Sequence, residues 1–442
     1  MPHDRVRRGN GDEMRTANLR QDMTRFMRRR ALLVLPLSVI AGVTALVACA
    51  NNESSSSEPD SANVIPDASP PDLDAGLDAN VDGDADAGCV EGDPNCTTKV
   101  VSCDEVEWCM AATPLSVLKT FTAVWGTSKT DVWAIGSGGT IYHYDGTQWV
   151  DTPSGVFNTL YGIWGSSAND IWVVSDPMTV LHGTGFKNGT ATWELVPTGF
   201  SKWNTTFLRA VWGTSPDDVR FGGRAYDISN NELEIYTTGH QLLKKTNGDG
   251  SIGFKTIEGT PTVYSYWGSS ATDVWMAADN HIYASSERGL IMHGTPRPDP
   301  KPSSDPLSTV EDPLLWAKVD SQSNLTLESI WGSSKDDIWA VGGNGAIRNY
   351  KTGDVRFEKV ESGTIANLHA VWGSGPNDIW AVGDTGTILH YDGKTVTPST
   401  VQLPVGRKPN LYGVWGSGAD DVWVVGDGIA LHYTGNKTGG AK

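Results

Sequence analysis

The chain has 442 residues, and its 52 acidic against 34 basic side chains give a formal charge of −18. That excess excludes a nucleic-acid-binding surface, which needs Lys and Arg to displace counterions. The charge is uneven: nine Arg oppose four acids in residues 1–30, whereas fifteen acids oppose one Lys in residues 50–110.

The basic head leads into Ala31–Val47, an uncharged apolar run that is short for a membrane span and ends Leu46-Val47-Ala48-Cys49. Basic head, apolar middle and small residues before a Cys resemble a bacterial lipoprotein signal with its lipobox. The resemblance implies that residues 1–48 are cleaved off and Cys49 is acylated. With Ala50 after the Cys, it also implies residence in the outer membrane or at the cell surface of a Gram-negative bacterium. Arg29-Arg30-Ala31-Leu32-Leu33 resembles a twin-arginine export signal, with Arg28 in place of the polar residue expected before the pair, so general and twin-arginine export both stay open.

Residues 49–88 are Ser, Pro, Ala, Gly and Asp with almost nothing to bury, the composition of a disordered, self-repelling tether. Within it, Asp78, Asn80, Asp82 and Asp84 carry the oxygen-ligand spacing of a calcium loop, with Gly83 at the turn. The closing bidentate position is Cys89 and not Glu, so the run is read as an acidic linker and no cofactor is expected. Cys89, Cys96, Cys103 and Cys109 follow within 21 residues of a chain read as exported, which predicts two disulfides with three possible connectivities.

From residue 106 onward the chain is a sevenfold repeat. A Trp-Gly pair begins at Trp125, Trp164, Trp212, Trp267, Trp331, Trp372 and Trp415. Six residues after each Trp stands an Asp: Asp131, Asp170, Asp218, Asp273, Asp337, Asp378 and Asp421. Two further on is a second Trp, except in the third copy, where Arg220 stands. The pattern predicts a hairpin whose turn Asp bonds its own backbone, then a third strand (His143-Tyr144-Asp145-Gly146) and a fourth, often with a Trp, as at Trp149, Trp193 and Trp316. A unit apolar on both faces cannot fold alone, and seven four-stranded copies predict an all-β, seven-bladed β-propeller over residues 106–442.

Residues 119–434 resemble the Trp-Gly/Asp-x-Trp propeller repeats of predicted surface lipoproteins of myxobacteria. The resemblance implies fold more than function, because propellers host binders and enzymes alike. His143, His182, His293, His390 and His432 share a third-strand position far from the axis, so they are read as hydrogen-bonding and not as metal ligands.

The seventh copy has three strands and then stops. Trp108–Pro114, ahead of the first copy, has the character of a fourth strand and is expected to close the last blade.

The repeat loses uniformity three residues before each Trp-Gly, at Thr122, Tyr161, Arg209, Tyr264, Glu328, His369 and Tyr412. One such position per blade, on the innermost strand, lies near the axis and can surround a ligand. Asp176, Arg224, Asp279, Asp384 and Asp427 end the second strands on the same face, and the long third and fourth copies and Arg220 are assigned to that region. The function expected is a membrane-anchored, monomeric binding or scaffolding protein taking a glycan, peptide or surface protein on one propeller face. The alternative is a secreted carbohydrate-active enzyme, a sialidase-like hydrolase or a lyase, which requires convergent carboxylates or a Tyr nucleophile beside several Arg.

Overall fold

The computed structural model describes residues 101–433 apart from 178, 200–203, 228–235, 283–284 and 299–311. The signal with Cys49, the tether with Asp78, Asn80, Asp82 and Asp84, and Cys89 and Cys96 lie outside the described residues. Of the four paired-cysteine candidates, Cys103 and Cys109 form a disulfide.

The copies build seven four-stranded antiparallel sheets in a ring, a seven-bladed β-propeller. Blade 1 runs Phe121–Ser128, Asp131–Gly136, Ile141–Tyr144 and Trp149–Asp151, in that order from the axis outward. Blades 2 to 6 begin at Leu160, Asn204, Thr262, Leu327 and Leu368. Blade 7 takes Leu411–Gly418, Asp421–Gly426 and Ile429–Tyr433, and its outer strand is Trp108–Met110 from the other end of the repeat region. Trp108 pairs with Tyr433 and Met110 with Leu431, so the edge left by the truncated seventh copy is covered and the ring is closed by its two ends.

The Trp-Gly pair is explained by what lies between blades. Each Trp lays its ring on the glycine of the next blade: a Cβ on Gly165 would come within 2.5 Å of Trp125, one on Gly373 within 2.8 Å of Trp331, and one on Gly126 within 2.8 Å of Trp415, across the closure. The second strand, with an adjacent blade on either side, is buried on both faces, as in Asp421–Gly426. The core is accordingly divided into seven seams, each joining one blade to the next.

The repeat Asp does not serve its own turn, as the sequence suggested. Its carboxylate is the hub of a side-chain network. One oxygen of Asp170 accepts from the Ser166 hydroxyl at 2.5 Å, and the other meets His182 Nε2 at 2.8 Å. The same bonds recur from Asp273 to Ser269 and His293, and from Asp421 to Ser417 and His432. Asn349 supplies the donor to Asp337 in blade 5, where the His is missing. Each imidazole also lies against the second Trp, with His390 and Trp380 stacked at 3.9 Å between centroids. A carboxylate placed among two or three donors inside a seam is satisfied only if all four side chains are in register, so the network fixes the pairing of the first three strands.

Arg220 is corrected in the same way. It does not belong to the ligand-facing region; it occupies the second Trp's place in the seam between blades 3 and 4. The Arg220 guanidinium is 2% exposed, and its Nη1 and Nη2 donate to the Asp312 carboxylate at 3.2–3.3 Å. The extra length of copies three and four is partly strand: the ladder of blade 3 runs on to Asp227 opposite Tyr236, and that of blade 4 to Ile282 opposite Ser285. These two blades stand taller than the rest on the face where the first strands begin.

Candidate functional site

At the start of every first strand the ladder slips by one residue. In blade 1 Phe121 faces Gly136 and Ala123 faces Ile135, leaving Thr122 out of the pairing. Tyr161, Arg209, Tyr264, Glu328, His369 and Tyr412 are skipped in the same manner. A bulge re-aims the side chain of its extra residue, and here seven bulges aim seven side chains at the axis. Next to them runs a ring of small residues, Ala123, Gly162, Ala210, Ser265, Ser329, Ala370 and Gly413, which lets the inner strands crowd together below the collar.

The seven collar residues line one cavity of about 540 Å³, joined at its mouth by Thr120, Ser137 and Thr159. Those three were missed in the sequence, although Thr120 and Thr159 share the position five before each Trp-Gly, which is polar in six of seven copies. Asp176, Arg224, Asp279, Asp384 and Asp427, expected to face a ligand, are not in the lining. Asp279, Asp384 and Asp427 stand behind it and hold it. Asp427 accepts from the Thr120 hydroxyl at 2.7 Å. Asp279 takes Tyr264 Oη at 3.2 Å and Thr326 Oγ1 at 2.7 Å. Asp384 accepts from Asn367 Nδ2 at 2.8 Å and meets His369 Nε2 at 2.7 Å.

His369 is clamped, since its Nδ1 lies 2.7 Å from Glu328 of the neighbouring blade. Burial alone would push its pKa down, but the hydrogen bonds and charges of Glu328 and Asp384 outweigh it and hold the imidazole at about 9. At neutral pH it is an imidazolium with both nitrogens engaged. Asp176 is also pushed up, but towards its neutral form: burial raises it to about 6, against the pull of Arg209 and Arg224. One Asp176 oxygen is buried with no hydrogen-bond partner. Burial, then the Asp279 carboxylate, also raises Tyr264 well above a free phenol.

Arg209 lies with its guanidinium carbon 4.7 Å above the Tyr161 ring. Among the described residues no side chain or carbonyl takes a hydrogen bond from it. It is a cation held in place by a π face, with its donors turned to the cavity. Around the axis the collar therefore reads Thr, Tyr, Arg⁺, Tyr, Glu⁻, His⁺, Tyr: three phenolic rings for stacking or hydrogen bonding, one unengaged cation, and one ion-paired strap between blades 5 and 6. No group of three or more potential metal ligands forms among the described residues.

No protein-family model and no curated protein matches the chain. Among solved structures it is similar to YCF48 from Cyanidioschyzon merolae, with 16% identity and a TM-score of 0.51 over 74% of this chain and 98% of that one. It is also similar to YCF48 bound to D1 peptide, with 15% identity and a TM-score of 0.52 over 76% of this chain and 99% of that one. At such identities the likeness is one of fold: this chain shares the propeller architecture of those proteins.

Proposed function

We propose that the protein is an extracytoplasmic binding or scaffolding module, anchored to the outer membrane or cell surface through an acylated Cys49, which receives its partner's polar end in the axial cavity. The observation that carries the reading is the collar: seven bulged residues that differ from blade to blade converge on one cavity, while nearly everything else in the repeat is uniform. Uniform positions maintain the fold, and the varied ones, brought together, are what a ligand meets. The solved likeness to a propeller bound to a peptide agrees with a binding role. The hydrolase alternative is less favoured, because Glu328, the carboxylate in the cavity lining, is committed to His369, as is Asp384 behind it.

The binding claim is tested by probing peptide and glycan arrays with wild-type chain and with Arg209→Ala and Tyr264→Ala. Both variants are expected to weaken the selected ligand about tenfold or more without unfolding the propeller; variants that bind as wild type would place the site elsewhere. The anchor is tested separately. Cys49→Ser is expected to abolish palmitate labelling and release the protein from the membrane fraction, since stable anchoring takes several acyl chains; unchanged retention would remove the anchor from the proposal.

A further inference from the structure

The cavity mouth has an apolar surround that the repeat does not account for. The connections from each fourth strand to the next first strand are fastened to the cavity-side turns. Ser137 donates to the Thr120 carbonyl, Gly139 to Asn158, and Gly386 to Pro409. Among the described residues these connections carry five of the nine large hydrophobic side chains left exposed, including Leu118 (92%), Phe157 (91%) and Ile365 (87%). The other two, Val117 and Val405, line a groove of about 720 Å³ that also takes in Met110, Leu115 and Ile429. The groove is formed where the two ends of the repeat region meet.

Groove and cavity share a wall. Asp427 gives its carboxylate to Thr120 on the cavity side and its carbonyl to Arg407 on the groove side. The groove lining contains no carboxylate, and Arg407 is its single charged side chain. Lys119, Arg209 and Arg407 stand at this mouth among the carboxylates described above, and Arg209, whose guanidinium gives no hydrogen bond to any described residue, is the cation open to a ligand that ends in negative charge. A cavity of about 540 Å³ is of the size that takes a small ligand or the end of a chain.

We propose that this face docks the C-terminal end of a partner polypeptide, with its terminal carboxylate at Arg209 in the axial cavity and a large apolar side chain in the groove between Val117 and Val405. The inference rests on the axial-cavity reading above and adds a second subsite and a ligand class. Backbone and carboxylate supply the polar contacts of the collar, and the apolar side chain sets which chain ends are accepted.

The test uses the full chain and a synthetic array of eight-residue Gly/Ser peptides. Each peptide carries one Leu or Phe at a different position, in free-carboxyl and amidated series, and a glycan array is run beside it. Binding is expected only in the free-carboxyl series, with Leu or Phe preferred at one or two fixed positions from the end. Val405→Asp and, separately, Val117→Asp, both exposed positions whose replacement leaves melting unchanged, are expected to erase the positional preference. The loss is about tenfold in affinity, equivalent to ~1.4 kcal/mol, and the need for a free carboxylate is retained. Arg209→Ala is expected to erase that need. Carboxylate-dependent binding with no positional preference overturns the groove, and equal binding of amidated peptides overturns the carboxylate. Glycans that bind in an Arg209-dependent way while no peptide does overturn this inference yet keep the axial-cavity reading. Binding of neither class, or binding that survives Arg209→Ala, overturns both.

Discussion

Six of the seven seams are built on one plan, with a buried Trp, a stacked imidazole or Asn349, and a carboxylate hub. The seam between blades 3 and 4 is built on another. There Arg220 replaces the Trp and is ion-paired to Asp312, which also accepts from Trp316 Nε1 at 2.8 Å and from the Leu314 amide at 2.9 Å. Across the same seam Gly222 stands where other blades have Ala, Val or Ile, and Tyr266 fills the room: a Cβ on Gly222 would come within 2.8 Å of the Tyr266 ring. The difference teaches that the repeat constrains the seam as a unit and not residue by residue. A departure is tolerated when its counterpart departs too, large for small and charge for charge.

The sharpest way to break this contrast is to remove one partner on each side of it. Trp380→Ala in a regular seam deletes a side chain that is 1% exposed and is expected to destabilise by ~3–5 kcal/mol. Arg220→Met in the exceptional seam leaves Asp312 buried and uncompensated, with an expected loss of similar size, ~3–5 kcal/mol. Adding Asp312→Asn to Arg220→Met is expected to recover a large part of that loss, whereas no second substitution in the other seam rescues Trp380→Ala. Denaturant melts of these variants, of Asp312→Asn alone and of the wild type check this, and strictly additive losses for Arg220 and Asp312 would mean that the two are not a unit.

A smaller effect concerns the glycine under each first Trp. Gly373→Ala sets a methyl against Trp331 and the Asp378 carbonyl, at 2.8 and 2.6 Å, so overpacking of ~1–3 kcal/mol is expected. Gly375→Ala, which meets nothing within 4 Å, is the matched control and is expected to be near neutral.

The strap at the collar is expected to report through pH. His369 has a folded pKa of about 9 against 6.5 for a free imidazole side chain. Its contribution to stability is therefore complete below about pH 6.5 and declines as pH rises through 9. His369→Gln is expected to flatten the stability profile across that window, and an NMR titration of the imidazole near 6.5 would refute the assignment. The smallest expected effect is a gain: Asp176→Asn removes a carboxylate that burial raises to about 6 and that has one orphaned oxygen. It is expected to add about 1 kcal/mol at pH 7, read as a rise of a few degrees in melting temperature; a loss would show that ionised Asp176 is needed to hold Arg209.

Much of this was legible in the chain. The fold was, because the Trp-Gly and Asp-x-Trp frame repeats at every blade and the seventh copy lacks a strand that Trp108–Pro114 resembles. The collar was, because Thr122, Tyr161, Arg209, Tyr264, Glu328, His369 and Tyr412 stand at the one inner-strand position where the copies disagree. What lay hidden depends on contacts between segments that share no motif. Asp312 lies 92 residues beyond Arg220, in a stretch outside the repeat frame, so the buried pair could not be read. Asp279 and Asp384 were placed on the correct face but read as ligand contacts, because spacing fixes which end of a strand a residue occupies and not whether its donors come from the protein first. The exposed Leu118, Phe157 and Ile365 lie in connections with no common pattern, which left the apolar surround of the mouth invisible.

The bulge at each collar position has a consequence for how such a protein diversifies. A residue inside a ladder is tied to the one opposite it, and a change there must be matched across the strand. A bulged residue has no opposite number. Substitutions at these places are thereby decoupled from strand pairing and from the indole-on-glycine contacts that hold the ring, so where no bond ties a collar residue to its neighbour, as Glu328 is tied to His369, a gene carrying this repeat can alter the collar by single steps that leave the ladders intact.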